Sequence, residues 1–371
     1  MHLQISKRDA SLNPRGERPN QMLPKINIII THLHLAQTWN KKGVQPSVLL
    51  VLLTLLMFGG LTAGTVKAQR INANLASDVK VLTWNIHGGQ TKGPGCKSVI
   101  PCQLRPENYL SHVLEEINRH EGLDAIALQE VYRSQARTLA QALARTRGFY
   151  DRPYFVETRS CGAPGVSDND FGIAIISRTP FIDVERVKID PPLVAGPERR
   201  MLARVIIQVQ DRRVYVYNTH LATNSFQRMG EVDKIRAQVI KDRNNHGAST
   251  FRPILMGDLN AEPGTWTYNE IRRGLFLDAW REVHSNDCTT FSQGSENGCT
   301  LETFKPDQRA DYILVGSGGV FRVDFAQVTS EQSLFDIFGL KKDGRTPNER
   351  TDCNKVPDHL PVVAHLSYRD K

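Results

Sequence analysis

The chain has 371 residues, 40% of them hydrophobic and 23% charged, with a formal charge of +8. This ordinary globular balance excludes a mostly disordered chain, and the length allows one large or two ordinary domains. Residues 1–68 hold eight basic and two acidic side chains and so carry six of the eight excess charges, which leaves the remainder without a bulk electrostatic case for nucleic acid.

In chain order, the first feature is Val48–Val66, an apolar and uncharged run preceded by Lys41-Lys42 and followed by Lys67-Ala68. A basic stretch, an apolar core and a small-residue ending predict a secretory signal cleaved after Ala68, with a start at Met22 as one way to shorten its basic region. The alternative is an uncleaved anchor through residues 48–66. The expectation is a leader over 1–68 and an exported protein, secreted or periplasmic.

The mature chain follows over residues 75–368 with no internal repeat or linker. Lys80–Trp84 predicts a strand, Asn108–His120 an amphipathic helix, Asp124–Val131 a buried strand, and Ser134–Arg145 a helix capped by its serine. Phe171–Ser177 is apolar, and Met201–Gln210 with Arg213–His220 predicts a hairpin. Glu231–Asn245 and Trp266–Arg273 predict helices. Pro253–Met256, Tyr312–Val315, Val320–Val328 and Leu360–Leu366 predict strands. Gly89–Arg105, Arg159–Asn169, Asn286–Lys305 and Gln332–Lys355 are expected as long loops. Strands with helices interspersed predict mixed sheets with helices packed outside.

The six cysteines form no CxxC pair and no zinc-finger spacing. In an exported chain an even count reads as disulfides. Cys96 with Cys102 and Cys288 with Cys299 each close a short loop, which leaves Cys161 with Cys353.

Polar residues collect at the ends of the apolar runs. Asn85 follows KVLTW, Glu130 ends AIALQ, and His220 ends VYVYNT. Asp258 and Asn260 follow PILMG, Asp311 precedes YILV, and Asp358-His359 precede LPVVAHL. Strand ends at a sheet rim let convergent groups build a site without burying charge in the core. Oxygen ligands without cysteine suit Mg²⁺, Mn²⁺ or Ca²⁺, and imidazoles beside carboxylates suit proton transfer or stabilisation of phosphate charge.

The ordered motifs TWN (83–85), LQE (128–130), FGIAIISR (171–178), NTHL (218–221), GDLN (257–260), ADYILV (310–315) and PDHLPV (357–362) resemble the endonuclease/exonuclease/phosphatase superfamily. The resemblance implies an α/β four-layer sandwich, two mixed β-sheets flanked by helices as in deoxyribonuclease I, and a divalent-metal-dependent phosphoesterase. It also implies roles for single residues. Glu130, with Asn85 beside it and Asp358 close by, would hold the metal. Asp311 would orient His359, Asp258 would orient or deprotonate the attacking water, and Asn260 and His220 would hold phosphate oxygens. Asp170 stands where relatives place a residue near His220. Two positions depart from the pattern: Pro357 replaces the usual serine, and His87 stands where repair nucleases carry an acid. With NTHL and export, these departures favour a phosphodiesterase acting on a phospholipid headgroup over one acting on duplex DNA. The alternatives are a secreted nuclease and an inactive binding protein on the same fold. No obligate protein partner is expected, and a monomer is.

Overall fold

The structure, a computed structural model, describes residues 78–92, 98–104, 107–159, 170–191, 199–288, 295–301, 307–338 and 357–369. The leader over 1–68 lies outside the described residues, as do Cys96, Cys161, Cys353 and the Cys102 side chain, and with them two of the expected disulfides.

The chain runs β1 (Val79–Asn85), β2 (Gly89–Lys92), β3 (Ser98–Leu104), α1 (Glu107–Arg119), β4 (Ala125–Tyr132), α2 (Arg133–Arg147), β5 (Tyr154–Arg159) and β6 (Phe171–Ser177). It continues through β7 (Phe181–Lys188), β8 (Met201–Val209), β9 (Arg212–His220), α3 (Ser225–His246), β10 (Pro253–Asp258), α4 (Trp266–Arg272), β11 (Phe276–Asp278) and α5 (Ala279–Val283). The last elements are β12 (Asp311–Gly316), β13 (Phe321–Val328), α6 (Glu331–Ile337) and β14 (Val362–Tyr368).

These strands make two six-stranded sheets, β13-β14-β1-β4-β6-β5 and β11-β12-β10-β9-β8-β7, beside the small β2-β3 ribbon. Each large sheet is mixed: β1 with β4 and β9 with β10 are parallel, and their other pairings are antiparallel. Strand parity sorts the side chains of the second sheet. Ala203, Val205, Ile207, Val214, Val216, Ile254 and Met256 join the core shared with the first sheet. Their sequence neighbours Leu202, Ile206, Tyr215, Tyr217 and Leu255 pack with Val232, Ile235 and Val239 of α3 and Tyr268 and Ile271 of α4. A period of two thus feeds two cores, one on each face of the sheet. Leu139, Ala140 and Leu143 of α2 pack on the first sheet, completing the four layers.

Several elements depart from the sequence expectation. Helix α2 is capped at Tyr132, whose backbone N–H donates to Gln135 Oε1 at 3.0 Å, and Ser134 lies inside the helix. Helix α3 begins six residues early because the Asn224 side chain accepts from the N–H groups of Phe226 and Gln227, a cap that precedes the polar helix. The expected loops are partly structured, since Gly89–Arg105 contains the β2-β3 ribbon and Gln332–Lys355 begins within α6. Strands β5 and β7 were not expected; β7 is an edge strand with exposed Asp183 and Val184 and shows no buried face to read. Cys288 and Cys299 form the expected disulfide, with Cα atoms 5.0 Å apart.

Gly257 fixes where β10 lies against β9. Its φ is +140°, and a Cβ there would fall 2.0 Å from the Thr219 carbonyl oxygen. Gly257→Ala should therefore lower stability by about 3 kcal/mol or more. Urea unfolding checks this, and a variant of wild-type stability would show that the two strands part here without cost.

Candidate active site

Register builds the site before any side chain is considered. Across three neighbouring strands His220 pairs with Asp258 and Asp258 with Asp311, so the three stand in one row of the second sheet. In the first sheet Asn85 pairs with Gln129, which places Glu130 one residue beyond it. A β-bulge between Leu128 and Val131 turns Glu130 out of the ladder. Three of the four non-glycine residues with positive φ, among those described, sit here: His87 (+45°), Glu130 (+51°) and Asn260 (+47°). Such concentration marks a place where backbone strain is tolerated.

The two sheets are joined directly beneath. Gln129 Nε2 donates to Asn218 Oδ1 at 2.7 Å, and Asn218 Nδ2 donates to the Leu128 and Ala174 carbonyls at 3.0 and 2.9 Å. Above that tie, Asn85 Nδ2 donates to Glu130 Oε1 at 3.0 Å and to Asp258 Oδ2 at 3.2 Å. Asn85 Oδ1 accepts from the His87 N–H at 3.1 Å. In this arrangement Asn85 aligns two carboxylates from opposite sheets, and its oxygen is engaged by the backbone.

His359 lies on the other side of Asp258. Its Nδ1 is 2.7 Å from Asp311 Oδ2 and its Nε2 3.7 Å from Asp258 Oδ2. Burial opposes a charge on His359, but the Asp311 and Asp258 carboxylates outweigh it and hold the imidazole well above the usual histidine range. An imidazolium carries an N–H on both nitrogens: Nδ1–H donates to Asp311, and Nε2–H lies beyond hydrogen-bond reach of Asp258. His220 Nε2 is 3.4 Å from Asp258 Oδ2. Burial, Arg200 and His359 hold His220 well below the usual range, hence neutral. Burial also pushes the Asp258 carboxyl up to about 7, with Asp311 adding to the rise and His359 opposing it.

That last shift has a stability consequence in chelator-treated protein. The unfolded Asp258 loses its proton near pH 4 and the folded one only near 7, so between these values the folded state binds more protons. Stability then falls as pH rises. The unfolded imidazole titrates near pH 6.5 in both proteins while the folded one stays charged, so the slope of His359 cancels from the difference between them. From pH 4 to 6.5, Asp258→Asn should therefore gain on wild type by a few kcal/mol, at 1.36 kcal/mol per pH unit. Urea unfolding at both pH values reads this, and a constant difference would place Asp258 near its ordinary value.

Asn260 closes the group. Its N–H donates to Asp258 Oδ1 at 2.8 Å and its Nδ2 to the Leu221 carbonyl at 2.9 Å, which links the GDLN turn to the segment after His220. Asp358 has its side chain half open to solvent, with Oδ1 2.8 Å from His87 Nδ1. Desolvation acts to raise this carboxyl, and the His87 ion pair more than reverses it. Asp170 is buried, 3.4 Å from Arg133 Nη2, and its backbone carbonyl accepts from the Arg133 N–H at 2.9 Å.

Some supporting residues were not found from the sequence. Thr300 Oγ1 accepts from the Ala310 and Asp311 N–H groups at 3.0 and 3.1 Å, and its carbonyl accepts from Leu360 N–H at 2.7 Å. This buried threonine therefore clamps both motifs of the Asp311-His359 pair. Its one sequence signal is adjacency to Cys299. Trp84 Nε1 donates to the His359 carbonyl at 2.9 Å. Glu231 Oε2 accepts from Ala222 N–H at 2.9 Å, and Arg228 Nη1 donates to the Ala222 carbonyl at 2.9 Å, so α3 holds the segment that follows His220.

The donor set suits a hard divalent cation. Glu130 and Asp258 bring carboxylate oxygens onto one amide nitrogen, and Asp311 Oδ1 is buried with no hydrogen-bond partner among the described residues. Asp258, Asp311 and His359 also offer ligand atoms within 4.8 Å of one another. A charged imidazolium at His359 has no lone pair for a metal, however, so the Glu130 side is the better fit.

No curated protein matches the chain. Among solved structures, an endonuclease/exonuclease/phosphatase family protein from Bacteroides thetaiotaomicron matches 79% of this chain and 98% of its own at TM-score 0.55 and 16% identity. The mannosyl-6-phosphatase of the same organism matches 78% of this chain and 100% of its own, at 0.53 and 14%. The human Nocturnin catalytic domain with bound sulfate matches 79% and 94%, at 0.54 and 16%. At these identities the likeness shows the fold. The sequence model of the Endonuclease/Exonuclease/phosphatase family matches residues 82–333, well over half of the chain. With its two mixed sheets, its flanking helices and this match, the chain belongs to the endonuclease/exonuclease/phosphatase family.

Proposed function

We propose that this metal-dependent phosphoester hydrolase is a phosphodiesterase that directs water onto phosphorus, with Mg²⁺ or Mn²⁺ ahead of Ca²⁺ as its ion. The observation that carries the proposal is the row His220-Asp258-Asp311 facing Asn85-Glu130 across the sheets, with a charged His359 between two of its carboxylates.

Glu130 would hold the cation, with Asn85 aligning it and Asp358 at the rim. When bound, the cation supplies Lewis-acid stabilisation of charge developing on the phosphoryl oxygens. Asp258, raised in affinity for a proton, accepts one from the attacking water as its oxygen bonds to phosphorus, while the P–O bond to the ester leaving group breaks and the departing oxygen takes up a proton from solvent. His359, kept charged by Asp311, donates to a non-bridging oxygen, and neutral His220 and the Asn260 amide hold others. Together they complement the five-coordinate phosphorus better than the ground state. His87 positions Asp358, and Asp170 is assigned to fixing Arg133.

A phospholipid headgroup and a nucleic-acid strand both present the required phosphodiester. Export through residues 48–66 belongs to the same proposal and is supported by the Cys288–Cys299 disulfide. The test is a panel of bis-p-nitrophenyl phosphate, sphingomyelin, phosphoinositides, RNA and supercoiled plasmid in Mg²⁺. Turnover of a diester with little activity on p-nitrophenyl phosphate is expected. Activity on the monoester alone would replace the reading with a phosphomonoesterase.

A further inference from the structure

Outside the site, a cleft of about 450 Å³ opens between α2 and the start of β5. Arg133, Arg137 and Arg152 line it with Tyr154, Phe155 and one carboxylate, Asp151, so its charged walls are net positive. Arg133 and Arg137 are four residues apart and share one face of α2. The Arg133 guanidinium carbon lies 4.5 Å over the centre of the Phe155 ring, and its Nη2 is 3.4 Å from Asp170. That cation is fixed in place rather than swinging in solvent. The Phe155 ring beneath it holds the guanidinium against the wall of the cleft.

The strand lattice measures how far this cleft is from the site. Phe155 pairs with Ala174, and Ala174 with Leu128. Phe155 is thus two strands across and two residues short of Glu130. At about 4.8 Å between strands and about 3.3 Å per residue, the backbone separation is about 12 Å. Phosphates advance about 3.4 Å per nucleotide along a duplex axis and further when the strand is extended. A phosphate in the cleft would lie roughly two to four nucleotides from one at Glu130.

We infer that this cleft is a second phosphate-binding subsite, taking a further phosphate of a polynucleotide strand whose nearer diester sits at Glu130 and His359. The inference rests on the phosphodiesterase reading and narrows its substrate to a chain of phosphates. A lipid headgroup whose only phosphate is the diester, as in sphingomyelin, has nothing to place in the cleft.

Arg137→Ala/Arg152→Ala tests it, because both side chains are exposed and neither belongs to the catalytic set. The full chain in Mg²⁺ is assayed with bis-p-nitrophenyl phosphate, and oligothymidylates of two and eight residues serve as competitive inhibitors. Wild type should bind the eight-residue strand about tenfold or more tighter than the dinucleotide. The double variant should lose that gain, with a salt slope shallower by about 0.7 for each phosphate that the arginines no longer neutralise. Its turnover of bis-p-nitrophenyl phosphate should be unchanged. Length-independent affinity, a gain that survives in the variant, or an equal loss on bis-p-nitrophenyl phosphate would overturn the inference. So would a variant that weakens only inorganic phosphate, which would make the cleft a free-anion site. Should the chain turn over no diester at all, fluorescence anisotropy of a labelled eight-residue strand reads the subsite separately. Length- and arginine-dependent binding there would leave the subsite standing while the proposed function fell.

Discussion

Replacing Glu130 by glutamine is expected to lower turnover by about 100-fold or more while leaving the fold intact, comparable to the loss of a major electrostatic stabiliser. Glutamine keeps an oxygen for Asn85 Nδ2, which now lies 3.0 Å from Glu130 Oε1. The bulge that presents residue 130 is held by backbone bonds, from Gly88 N–H to the Glu130 carbonyl at 2.7 Å and from Ile86 N–H to the Gln129 carbonyl at 3.1 Å. Neither bond involves the side chain, so stability should stay within about 0.5 kcal/mol of wild type. What changes is one negative charge at the point where two sheets aim carboxylates at each other. Excess EDTA should abolish wild-type turnover, Mg²⁺ or Mn²⁺ should restore it, and the variant should need far more metal for its residual rate. Full wild-type activity in excess chelator would exclude a metal-assisted reaction.

How much of this was legible in the sequence follows from the kind of pattern each feature leaves. β6 is Phe171–Ser177 in both sequence and structure because all seven residues are buried, and an unbroken apolar run bounded by polar residues marks its own limits. β7 carries Asp183, Glu185 and Arg186 and has no fully buried residue, so its pairing to β8 is written in backbone hydrogen bonds more than in hydrophobicity. Asn85, Glu130, His220, Asp258, Asn260, Asp311 and His359 were legible because each ends or adjoins an apolar run. Their convergence was not, since it depends on register: Asp258 opposite both His220 and Asp311 is a property of strand pairing. The supporting groups left the weakest trace. Thr300 acts through a hydroxyl and a carbonyl in a segment without periodicity, and Glu231 looks like one more charge on a polar helix although it is fully buried. Buried polar groups that bond backbone are chosen by the tertiary fold, and no local period announces them.

The pairing of Asp311 with His359 leads to a result on two readouts at once. Asp311→Asn and His359→Ala should each cut kcat on the order of 10³-fold, and the double variant should be little worse than the poorer single one, since groups that act as a unit are not additive. Removing either partner also strands the other. Asp311 is 1% exposed and His359 4%, and breaking a buried ion pair from one side costs about 3–5 kcal/mol. In His359→Ala the Asp311 carboxylate loses the hydrogen bond to its Oδ2, since Thr300 engages only the Asp311 backbone N–H, and Asp258 adds to the local negative charge. In Asp311→Asn the imidazole loses its principal counter-ion, so its pKa falls toward the ordinary range and it becomes neutral at pH 8. The double variant removes both charges and should recover part of the stability that each single change removes. Urea unfolding and kcat measured on all four proteins at one pH decide the matter. Multiplicative kinetic losses with additive stability losses would mean that the 2.7 Å contact joins two groups that work separately.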